Sequence, residues 1–142
     1  SGLVKSAGGG GGIISSNMAT INGQHNTSST SYISIDTGLD VTITPASTSS
    51  KFLLLSTITG AGDMLFVTFF RDSTNLATDD TAATSRIIHQ GGTQWLTSTM
   101  SFLDAPNTDS SITYEVKFCT NGASGYIGDG NDMLNTLNVI EF

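Results

Sequence analysis

Charge is scarce in this chain of 142 residues: charged side chains make up 12% of it, against about 25% in an ordinary globular domain. Glu occurs only at Glu115 and Glu141, and Lys plus Arg total 5. The long straight-chain residues that favour helices are therefore nearly missing, and no segment carries a helical period worth predicting. Cations this few and this scattered, in a chain of net charge -7, exclude the counterion-displacing surface on which nucleic-acid binding depends. One cysteine, Cys119, rules out an internal disulfide framework. It sits in an alternating strand with no adjacent His to activate it, so packing is the expected role rather than a reactive thiol. No apolar run approaches the roughly 18 residues of a helical membrane span, so no membrane insertion is expected. The N-terminus also lacks the layout of a secretory signal.

Small polar residues take the place of the missing charge, with 21 Thr, 19 Ser and 16 Gly. Against this background, apolar residues recur with period two. Leu39, Val41 and Ile43 alternate with Asp40, Thr42 and Thr44 up to Pro45; Ile112, Tyr114, Val116 and Phe118 alternate with Thr113, Glu115, Lys117 and Cys119. Each run places its apolar residues on one face of a strand. Further strands are read at Ile13-Ile14 with Met18 to Asn22, and at Ser28 to Thr37, Leu76 to Thr78, Arg86 to His89, Gln94 to Leu103, Tyr126-Ile127 and Leu134 to Phe142. Turns are read at Gly60-Ala61-Gly62-Asp63, Asp72 to Asn75, Gly91-Gly92 and Asp104-Ala105-Pro106-Asn107. Nine or ten short strands at this spacing predict an all-β antiparallel sandwich or jelly roll. Residues 13 to 142 form the expected single domain. The glycine run Gly8 to Gly12 marks residues 1 to 12 as a linker or attachment segment.

Two strands depart from simple alternation. Phe52 to Ile58 and Met64 to Arg71 are apolar on both faces at once. A strand in a two-layer sandwich has one inner face, so the second requires another cover. Subunit association is the expected cover, with Phe66, Phe69 and Phe70 as interface candidates.

Catalytic signatures are missing. His25 and His89 stand alone, without partners at metal-ligand spacing; no Gly-x-Ser-x-Gly elbow exists, and nothing marks out a pair among the twelve carboxylates. Asp129-Gly130-Asn131-Asp132 resembles the opening of a calcium loop, but Ile140 stands where the closing bidentate Glu would be required. A strand-connecting loop is the expected reading there, with no cofactor. The expectation is a protein without enzymatic activity.

Several blocks together resemble a known family. They are Ile35 to Pro45 followed by Ser47 to Leu54, then Phe69-Phe70-Arg71-Asp72-Ser73-Thr74, Met100 to Pro106, Ile112 to Phe118, and the closing Asn138-Val139-Ile140-Glu141-Phe142. They look like segments of phage tail-fibre and related virion head domains. The resemblance runs from about Tyr32 to Phe142 and matches poorly in the middle and over Ala123 to Leu134. It implies a homotrimeric jelly roll similar to tumour-necrosis-factor and C1q heads, located on a phage tail or capsid surface. It implies attachment to a host-surface glycan or protein, with a fibre shaft or another virion protein joined through the N-terminal segment. It supplies no catalytic residues. Binding is expected on loops, namely Asp79 to Ser85, His89 to Trp95 and Ser124 to Asp132. Trp95 and Tyr126 are candidates for stacking on a sugar, and Asp129, Asn131 and Asp132 for hydrogen bonding it; Trp95 also has a plain reading as a packing residue. A capsid decoration protein held through its N-terminal segment and a tail-associated glycan depolymerase are the alternative functions.

Overall fold

The computed structural model describes residues 12–35, 38–77, 88–90 (backbone only), 92–130 and 133–142. Most of the glycine run, the Asp79 to Ser85 loop, Asn131 and Asp132 lie outside the described residues. What is described is all-β, without a helix, in two antiparallel sheets.

The strands are β1 (Ser15–Ile21), β2 (His25–Thr27), β3 (Ile33–Ser34), β4 (Asp40–Ile43), β5 (Phe52–Gly62), β6 (Leu65–Arg71), β7 (Thr74–Asn75), β8 (Ile88–Gln90), β9 (Leu96–Asp104), β10 (Ile112–Cys119), β11 (Gly125–Ile127) and β12 (Asn135–Glu141). The eleven-residue β5 organises the first sheet. Along one edge it pairs with β12 over its first half and β11 over its second, while β9 runs along the other edge. β1 extends the sheet beyond β12, and β2 beyond β11. The second sheet centres on β10, flanked by β3 and β4 on one side and β6 on the other, with β7 and β8 outside β6.

Period-two patterning sets the packing. Phe52, Leu54, Ile58, Met100, Leu137 and Val139 of the first sheet face Leu65, Val67, Phe69, Tyr114, Val116 and Phe118 of the second, all buried in one core. Aligned inner faces of this kind make a β-sandwich. Its polar members are paired. Tyr114 donates its hydroxyl to Asp104 at 2.7 Å, and Arg71 Nη1 donates to both Asp104 oxygens at 2.9 and 2.8 Å. Because Asp104 belongs to β9 and its partners to β6 and β10, this cluster clips one sheet to the other. Asp104 is thus the buried last residue of a strand, not the first residue of a turn. Burial and donation to Asp104 hold the Tyr114 phenol far above its ordinary pKa. At the same end of the molecule, buried Glu141 accepts the Ala46 N–H at 2.6 Å and the Ser15 hydroxyl at 3.0 Å.

The structure corrects the reason given for the two-sided strand β6. Phe69 points into the core and is fully buried within one chain. Phe66, Thr68 and Phe70 point the other way, yet Phe66 is only 4% exposed and Thr68 is fully buried. Other parts of the same chain cover that face. Tyr32 meets Phe70 edge-on at 5.6 Å, Lys117 Nζ lies 4.7 Å from the Phe70 ring centroid, and Thr68 donates to Asn75 Oδ1 at 2.9 Å. Half-buried Phe70 is the one of the three with appreciable exposure. A second subunit is not needed to explain the apolar character of β6. Two smaller expectations also shift. Gly60 to Gly62 continue β5 rather than turn, leaving Asp63-Met64 as the connection to β6, and the strand expected at Leu76 to Thr78 falls earlier, at β7.

Candidate functional site

The far end of β5 is built from small residues, Gly60-Ala61-Gly62. Gly62 lies opposite Gly125 of β11. A Cβ on Gly62 would come within 2.8 Å of Gly125 Cα and 2.9 Å of the Ser124 carbonyl oxygen, and its φ of +145° disfavours any side chain. Two facing glycines let the backbones close up here. The Gly62 N–H also donates to the Gly92 carbonyl at 3.0 Å, which ties the segment before β9 to the same spot.

Register then determines which side chains meet. Tyr126 is paired with Ala61 on one edge of β5. On the other edge Leu96 is paired with Gly60, so Trp95, one residue earlier, lies beside Ala61. Directly paired residues share a face. Trp95, Ala61 and Tyr126 therefore form a row across the outer face of the first sheet. The methyl of Ala61 leaves room for the rings to lean together, with centroids 6.2 Å apart and planes inclined at 55°.

These rings border a pocket of about 480 Å³, within the size range of small-molecule sites. Ala61 and Gly62 line it together with Asp63 of the turn. Gln24 joins from the approach to β2, Thr93 from the approach to β9 and Ser124 from the approach to β11. Trp95 is 40% exposed, as a ligand platform must be, and Tyr126 is half-buried. The mixture is two stacking faces, one carboxylate, one amide and three hydroxyls, the Tyr126 phenol among them. It offers the apolar surface and the hydrogen-bonding capacity that a polyhydroxylated ring demands.

Of the residues expected to bind, Trp95 and Tyr126 come together, and the loops His89 to Trp95 and Ser124 to Asp132 each contribute to the lining. Asp129 stands at the margin. Its loop is anchored by the Gly128 N–H donating to Thr59 O at 2.8 Å, and Gly130 packs beside Gln24, but Asp129 is not in the lining. Gln24 and Asp63 escaped the sequence reading. The Gly-Ala-Gly run was the available signal, since small residues in a strand interior mark a close approach of backbone or ligand. Cys119 is buried, in keeping with packing. His25 bonds through Nε2 to the Asn22 carbonyl oxygen at 3.0 Å, and among the described residues no cluster of three His, Cys, Asp or Glu could hold a metal ion. No family model matches this chain, and no curated protein matches it in sequence.

Proposed function

We propose that this chain is a non-enzymatic attachment domain of a virion, the receptor-binding head of a phage tail fibre, which holds a host-surface glycan against Trp95 and Tyr126. The observation that carries this reading is the pair of rings held beside one another across Ala61, with hydroxyl, amide and carboxylate groups around them. Asp63 is the single carboxylate among the described lining residues, whereas glycoside hydrolysis ordinarily employs two flanking the scissile bond. That composition favours retention over turnover, and so favours an attachment role above a depolymerase.

Strand pairing supports a jelly roll. β1 pairs with β12, β4 with β10, β5 with β9 and β6 with β8. This is the nested scheme of a long hairpin wound into two sheets. The outer face of β1, β12, β5 and β9 supports a homotrimer. Rows run across it in register: Ser16, Ile140, Leu53 and Leu103, then Met18, Asn138, Leu55 and Ser101, then Thr20, Thr136, Thr57 and Thr99. None is charged, in a chain of net charge -7, and Met18 and Leu103 are 64% and 60% exposed. Copies of an acidic protein meet with least repulsion on such a face. The pocket lies at the other end of β5, roughly 20 Å from the Leu55 row at about 3.3 Å per residue. Ile13 and Ile14, exposed ahead of β1, suit a contact with a shaft or capsid protein, and are what favours the decoration role as a second reading.

Binding of the purified chain to an array of host-surface glycans tests the proposal. Retention lost in both Trp95→Ala and Tyr126→Ala, with unfolding midpoints unchanged, is the expected result. Retention that survives both substitutions overturns it, and attachment to capsids through residues 1–22 would favour decoration instead.

A further inference from the structure

Charge around the pocket points to the class of sugar it takes. Asp63 is exposed and lines the site. The cations among the described residues lie elsewhere or are engaged. Arg71 is bonded to Asp104, and Asp104 pairs with Phe52 at the opposite end of β5. Lys117 meets Glu115 at 3.3 Å and covers Phe70 on the outer face of the other sheet. Lys51 precedes β5, roughly 35 Å from Gly62 at about 3.3 Å per residue. The whole chain carries a net charge of -7.

We infer that the Trp95–Tyr126 pocket selects uncharged sugars and turns away glycans that end in a carboxylate, sulfate or phosphate. The inference rests on the glycan-binding reading above. Sugar hydroxyls are donors that an Asp63 carboxylate accepts, while Gln24, Thr93 and Ser124 can donate or accept in return. An anionic terminus brings more acceptors to a carboxylate that can only accept, with no described cation in the lining to neutralise it. Two like charges about 4 Å apart in a water-exposed site lower affinity by roughly fivefold, and by more where water is displaced.

The test is an array of matched oligosaccharide pairs, identical except that one ends in a hexose and the other in the corresponding hexuronate, probed with the full chain. At about 0.01 M salt the hexose member of each retained pair should bind at least about fivefold more tightly. At about 1 M salt the gap should narrow, because charges this exposed are then screened. Asp63→Asn, which keeps a polar side chain of the same shape without the charge, should also narrow the gap, read as the ratio of affinities within each pair whatever the absolute affinity becomes. Hexuronate members bound as tightly or more tightly overturn the inference and leave the glycan site standing. A gap untouched by Asp63→Asn overturns it as well, by placing the selectivity elsewhere. Failure of every pair to bind removes the glycan site itself, and the inference with it.

Discussion

Removing the Asp104 carboxylate breaks the clip between the two sheets. In Asp104→Ala, Tyr114 loses the acceptor of its buried hydroxyl, and Arg71 loses two short hydrogen bonds at 2.8 and 2.9 Å. The two partners do not suffer equally. Tyr114 is fully buried and has no route to water, so its orphaned hydroxyl costs about 1–3 kcal/mol. The Arg71 side chain is 26% exposed, so water restores part of its hydration, which places its loss at the low end of the 3–5 kcal/mol seen when a buried pair is broken. Together these give about 4–6 kcal/mol of destabilisation, a large share of the roughly 5–15 kcal/mol that holds an ordinary domain. Tyr114→Phe leaves the Arg71–Asp104 pair intact and should cost about 1.5–2 kcal/mol. Urea unfolding monitored by Trp95 fluorescence and by circular dichroism reads both values, provided that the slope with denaturant stays constant. A loss below about 1 kcal/mol in Asp104→Ala would refute the reasoning, because it would mean that neither the phenol nor the guanidinium depends on this carboxylate.

Three further outcomes follow from the same geometry. Burial alone would raise the Glu141 pKa, but the Ala46 N–H and the Ser50 and Ser15 hydroxyls outweigh it and leave the carboxyl below its usual value. A depressed folded-state pKa stabilises the fold above the unfolded value of about 4.3 and ceases to do so as pH falls. Acid titration of wild type should therefore show stability falling below about pH 4.5, with a shallower fall in Glu141→Gln; parallel curves would count against it. Gly62→Ala forces a Cβ toward Gly125 Cα at 2.8 Å with φ at +145° and should cost about 1–3 kcal/mol, along with ligand retention; an unchanged unfolding midpoint would contradict the close approach. Leu103→Glu places a charge on the uncharged outer face and should convert a species near three chain masses of 14.8 kDa to one chain mass by light scattering, whereas wild type already at one mass would end the trimer proposal.

Much of the strand content could be read from the sequence because burial on one face of a sheet leaves a local signature. The alternation from Ile112 to Cys119 reappears as β10, with Ile112, Tyr114, Val116 and Phe118 inward. Leu39 to Ile43 likewise resolves into β4 and the residue before it. The scarcity of Glu, Lys and Arg excluded helices for a reason that needs no tertiary context. Trp95 and Tyr126 could be singled out because they are the aromatics carried by the Gly-containing stretches His89 to Trp95 and Ser124 to Asp132, where binding is expected.

Contacts between distant segments left no such signature. That Tyr32 and Lys117 cover Phe70, and that Asp104 closes a bond to Tyr114 and Arg71 rather than starting a turn, depends on pairings that period two does not specify. The short β2 and the run Gly60 to Gly62 carry no apolar alternation, and they became strands because neighbours supplied ladder partners. The pocket arises in the same way. Sequence determined which residues could stack on or hydrogen-bond a sugar; register across β5, between β9 and β11, decided that Trp95 and Tyr126 meet over Ala61, with Asp63 and Gln24 beside them. Local patterning sets which face a side chain takes, but only closure of the sheet sets which side chains share that face at contact distance.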